Sequence, residues 1–149
     1  MAEPADTAGG PALASIEWRE SSGPVAPRFQ YGIHLVVQAG PEGIQATCER
    51  RDASGTTVRA GSPAPGAFVA LCRELLAVLP LGTRLDLVGE LRTRKGISFN
   101  QVVLARGADS YRLDYVLSQL DEADGDPRAR TVVAAIRSWI QDALGPGPA

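Results

Sequence analysis

Between Arg28 and Gln38 the chain alternates so regularly that it restricts the fold more than any other segment. Phe29, Tyr31, Ile33, Leu35 and Val37 share one face, and Gln30, Gly32, His34, Val36 and Gln38 share the other. A period of two is the signature of a strand with one buried side. AGPEG (39–43) supplies a turn, after which Ile44, Ala46 and Cys48 continue the buried face while Gln45, Thr47 and Glu49 point outward. DASG (52–55) turns the chain again, and TTVRA (56–60) reads as a short fourth strand. Upstream, ASIEWRE (14–20) reads as the first strand, and Pro24 and Pro27 in SSGPVAP exclude a central strand between the two. The pattern predicts an antiparallel meander with one wet face.

The period then changes. Phe68, Leu71, Cys72, Leu75, Leu76 and Leu79 recur at three- and four-residue steps, which predicts a helix with one apolar stripe. Pro65 suits its first turn and Pro80 stops it. Residues 84–96 fit either a strand start, through Leu85, Leu87 and Leu91, or an irregular crossing. ISFNQVVLA and SYRLDYVLS, separated by RGAD, predict a second hairpin. Tyr111, Leu113, Tyr115 and Leu117 take one face of it, with Arg112, Asp114, Val116 and Ser118 on the other. Asp126-Pro127 starts a last helix, whose buried face is Val132, Val133, Ile136, Trp139, Ile140 and Leu144, and Gly145 ends it. The expected fold class is α+β: an antiparallel sheet of about five to six strands, in the order strands–helix–hairpin–helix, with two helices on one face. Residues 13–144 form the expected single domain. Residues 1–12, built of Ala, Gly, Pro and acids, read as a disordered arm, and 145–149 as a frayed tail.

What the chain lacks narrows its chemistry. A formal charge of -2 does not steer nucleic acid or a membrane, and there is no apolar run long enough to span a bilayer. The first residues, MAEPADTAGGPALAS, have neither the basic nor the apolar region of an export signal, and Cys48 and Cys72 are far apart. A reducing cytoplasm is the expected compartment, with both thiols in the core. One histidine and two distant cysteines give no zinc spacing. A calcium loop fails too, since Gly125 at loop position 6 puts Leu120 and Thr131 at positions 1 and 12. His34 is mid-strand with no nucleophile motif around it, and nothing local unites Asp114 with Glu90 as an acid–base pair. No phosphate-cradling glycine motif occurs, and Arg92, Arg94 and Lys95 form a basic cluster without interleaved aromatics. No cofactor, metal or nucleic acid is therefore expected.

The remaining feature is DYVLSQLDEADGDP (114–127), dense in acids. Asp126 is the natural helix cap, and acids near a helix N-terminus are favoured by the helix dipole. Asp114, Asp121, Glu122 and Asp124 are left as the residues with which to meet a basic protein partner, because complementary charge speeds association.

The stretch from the helix ending near Pro80 through ISFNQVVLARGADSYRLDYVLSQLDEADGDPRARTVVAAIRSWI resembles the carboxyl half of the YezG-like immunity proteins, over roughly residues 65–141. Tyr111, Asp114, Tyr115, Leu120, Asp121, Asp124 and Trp139 carry the likeness. The pattern is also similar to the emfourin-type inhibitors of thermolysin-like proteases. Either resemblance implies a module that neutralises a partner, such as a basic toxin or a protease, by stoichiometric binding and without catalysis. The chain is then a monomer or weak homodimer in the cytoplasm. Two alternatives stay open: an adaptor or chaperone of an assembly machine, with Val36 and Val116 as an exposed seam between copies, and a small hydrolase working through carboxylates.

Overall fold

The computed structural model describes residues 15–22, 25–41, 43–89, 100–121 and 125–144. The arm expected at 1–12 and the tail at 145–149 lie outside these residues, as do Glu90, Leu91, Arg92, Arg94, Lys95, Glu122 and Asp124. Four strands come first: β1 (Ser15–Ser21), β2 (Tyr31–Gly40), β3 (Gly43–Asp52) and β4 (Gly55–Gly61). Helix α1 (Pro65–Val78) follows, then β5 (Arg84–Asp86), β6 (Asn100–Arg106), β7 (Asp109–Tyr115) and helix α2 (Pro127–Leu144). The strands form one seven-stranded sheet in the order β4-β3-β2-β1-β6-β7-β5. The fold is α+β as expected, with more strands than the pattern indicated.

The sheet is antiparallel except at one edge, where β5 runs parallel to β7 with Leu85 opposite Leu113. The ambiguous segment thus starts as a three-residue strand. It is tied in by Gly82 N–H donating to the Ser110 carbonyl at 2.7 Å and Leu87 N–H to the Asp114 carbonyl at 2.9 Å. Gly82 has φ +94, a turn conformation that side chains rarely adopt. β1 lies mid-sheet, paired on one side with β2 (Trp18 opposite Leu35) and on the other with β6 (Trp18 opposite Val102).

The two helices cover the same face. Ile16, Trp18, Leu35, Val37, Ala46, Cys48, Val102, Leu104, Tyr111, Leu113 and Tyr115 from the strands form one core with the helix stripes. From α1 that core takes Phe68, Leu71, Cys72 and Leu75, and from α2 it takes Val132, Val133, Ile136, Trp139 and Ile140. Each large side chain so buried contributes about 1.5–3 kcal/mol. Phe68 and Trp139 join the helices edge to face, with ring centroids 6.3 Å apart.

One expectation for the strand at 28–38 needs correction. Pro27 opens a short 3-10 turn, Pro27–Phe29, closed by Phe29 N–H on the Ala26 carbonyl at 2.8 Å. β2 therefore begins at Tyr31, and Phe29 is 61% exposed beneath the Arg28 guanidinium, 4.8 Å from its ring centroid. The alternation from Tyr31 onward is realised.

Asp126 caps α2 as its position predicts. Its carboxylate accepts from Arg128 N–H at 2.8 Å and pairs with the Arg128 guanidinium at 2.9 Å. Those bonds hold the carboxyl below its ordinary value of 3.8, the Arg128 side chain contributing most. A depressed carboxyl stabilises the fold above its unfolded pKa, and that contribution fades as pH falls through the folded value. Asp126→Ala is expected to cost about 0.5–2 kcal/mol near neutral pH. Thermal melts of the two proteins should converge in acid, where the wild-type Asp126 carboxyl is protonated and the variant has none to lose.

Candidate functional site

On β1 the alternation puts Ile16, Trp18 and Glu20 on the helix-covered face, which leaves a carboxylate inside the core. Glu20 is 1% exposed. Tyr115 donates its hydroxyl hydrogen to Glu20 Oε1 at 2.6 Å, and Tyr31 donates to Oε2 at 2.9 Å. Arg137 Nη2, from α2, reaches Oε2 at 2.5 Å, and Trp18 Nε1 donates to the Tyr115 oxygen at 2.8 Å. Burial, then the neighbouring Glu20 charge, pushes Tyr31 up to about 12, and the same causes drive Tyr115 well above the ordinary phenol range. Both phenols therefore stay protonated and act as donors. The Glu20 carboxyl thus pairs with an arginine and accepts from two hydroxyls, partners that a buried carboxyl requires. These bonds fasten β1, β2, β7 and α2 together. The sequence carried a signal for it: an acid two residues beyond Trp18, at core parity in an otherwise apolar strand face.

The opposite face of the sheet bears no helix among the described residues. Its side chains form rows set by the register: Arg19, His34 and Glu49 across β1, β2 and β3, with Gln101 and Asp114 continuing on the other side of Arg19. Glu17 Oε2 binds His34 Nε2 at 2.6 Å and Arg19 Nη2 at 3.0 Å. The His34 hydrogen bond, foremost, holds the Glu17 carboxyl below the usual carboxylate range. Gly32 leaves a shallow hollow of about 290 Å³ beside Arg19, His34, Glu49 and Arg51. The only histidine is thus engaged by an acid, while Cys48 and Cys72 are buried in the core. A groove of about 790 Å³ also runs between the helices, floored by Ala67, Ala70, Ala134 and Ala135 and flanked by Glu74 and Asp142.

The acids singled out by sequence are not displayed together. Asp114 does lie on the outward face of β7, but it is 6% exposed and accepts from Arg112 Nε at 3.0 Å. Asp121 is exposed at the end of the 3-10 turn Leu117–Leu120. Its carbonyl is anchored by Gly125 N–H and Arg130 Nη1, both at 2.8 Å. Of the expected acidic rim, then, Asp121 is presented to solvent, Asp114 is enclosed, and Glu122 and Asp124 fall outside the described residues. Val116 is 5% exposed, so the seam expected through Val36 and Val116 is not an exposed one.

No family model, curated protein or solved structure matches the chain. Among the described residues no group of three or more His, Cys, Asp or Glu side chains converges as metal ligands, and no helix is long and apolar enough to cross a membrane.

Proposed function

We propose that this chain is a non-enzymatic protein-binding module, of the immunity or inhibitor kind, that neutralises a partner by stoichiometric contact. The observation carrying this reading is the division of the sheet: α1 and α2 cover one face, and the other presents rows of charged and polar side chains. A broad sheet face with paired charges suits a macromolecular surface better than a small molecule, which takes a deep and largely apolar pocket. The Glu17–His34–Arg19 cluster and the hollow at Gly32 give that face its relief. Asp121 and the acids after it supply negative charge for a basic partner.

Charge at such a margin acts mainly on the association rate. Asp121→Lys combined with Asp124→Lys is expected to slow association with the partner by about tenfold at low salt. Stability should change by no more than about 0.5 kcal/mol, because Asp121 is anchored through its backbone. Stopped-flow binding and a thermal melt check both halves, and unaltered association kinetics would remove the acidic stretch from the interface.

A further inference from the structure

β4 ends the sheet on one side, and no other strand among the described residues pairs with its outer edge. The turn Ala53–Ser54 closes on the Asp52–Gly55 pair. Hydrogen-bonded pairs alternate along an antiparallel ladder, so Gly55, Thr57, Arg59 and Gly61 direct their backbone groups at β3. Thr56, Val58 and Ala60 therefore turn N–H and C=O away from the sheet. Among the described residues no hydrogen bond outside the sheet ladder ends on these three. Their side chains are all exposed, and Val58 reaches 57%. Proteins usually protect such an edge with lysine, proline, a bulge, an inward-pointing charge or a very short strand, and of these β4 has Arg59, opposite buried Cys48. The opposite edge, β5, has three residues, whereas β4 has seven and carries no charge on its exposed row.

We propose that β4 is a self-pairing edge: two copies of the chain join antiparallel about Val58 and continue one sheet through both. The register follows from the strand itself. Centring on Val58 sets Val58 against Val58 of the second copy and Thr56 against its Ala60, which uses every outward-facing backbone group. Any shifted register leaves at least one of the three residues unpaired. Gly55 then meets Gly61 with no side chain to clash, and Arg59 faces Thr57 instead of another cation. An edge-to-edge contact of one strand is well below the roughly 1,000 Å² of a stable interface, so the dimer is weak and concentration-dependent. The inference is independent of the partner-binding reading, since the outward face of the sheet stays open in the dimer.

Disulfide trapping on the full chain tests the register. Facing residues of a hydrogen-bonded antiparallel pair have Cα atoms about 5.5 Å apart, inside disulfide range. Val58→Cys is expected to give a covalent dimer under mild oxidation, since the native thiols are buried and do not compete. Ala60→Cys, whose copies sit about 13 Å apart along the strands, should not. By sedimentation, the unmodified chain should pass from monomer toward dimer as concentration rises. Val58→Pro should remain monomeric while folded, because the Val58 N–H is not part of the β3 ladder. A wild type that stays monomeric throughout, a Val58→Pro variant that still dimerises, or equal trapping at 58 and 60 would each overturn the proposal.

Discussion

Leu75→Asp is expected to eliminate the cooperative unfolding transition of the domain. Leu75 is 0% exposed, at the middle of the α1 stripe with Phe68, Leu71 and Cys72. Losing a buried leucine side chain alone costs about 2–5 kcal/mol. The replacement also places a carboxylate inside the apolar core cluster, and an uncompensated buried charge costs several kcal/mol more. Together these approach or exceed the 5–15 kcal/mol by which domains are ordinarily stable. Far-UV circular dichroism and calorimetry read the outcome directly. A variant that melts cooperatively within a few degrees of the parent would mean that α1 does not seal this core.

Glu20→Ala is expected to be the most destabilising change at a charged position, by about 2–4 kcal/mol, through an orphaned buried hydroxyl and lost packing. It removes the acceptor for Tyr31, Tyr115 and Arg137 at once, and the Tyr115 hydroxyl is left buried without its acceptor. Arg137→Ala should cost less, since the arginine side chain is 49% exposed and two hydroxyls still hold Glu20. The order of the two losses in chemical denaturation is the sharp part of the expectation. If Arg137→Ala proved the costlier, the ion pair and not the tyrosine bonds would be the principal fastening.

Local pattern carried much of the fold. The alternation in β2 and β3 and the stripes of α1 and α2 depend on neighbours a few residues away, and so do Pro65, Pro80 and the Asp126 cap. The partial failures are non-local or interrupt a pattern. Phe29 continues the alternation by parity, but Pro27 imposes a turn before the strand begins. β5 is a three-residue strand that exists through its parallel pairing with β7, which no local period records. The face of Asp114 was legible from parity, and its enclosure was not, because burial depends on what packs over β7.

The Glu20 cluster is the plainest example of long-range information. Its partners Tyr115 and Arg137 lie 95 and 117 residues away along the chain. Nothing in ASIEWRE announces them. The central position of β1, between β2 and β6, belongs to the same category, since strand order is decided by pairing across the whole sheet. Function was the least legible property, because a binding face is specified by shape and charge placement and leaves no spaced motif.

The most direct test of the binding account is a titration of the purified partner, captured with the full chain from its native cell, followed by mass analysis of both proteins. The account predicts that one equivalent of this chain saturates the partner's inhibition and that both are recovered with unchanged mass. Inhibition by catalytic amounts, or a covalently altered partner, would contradict it.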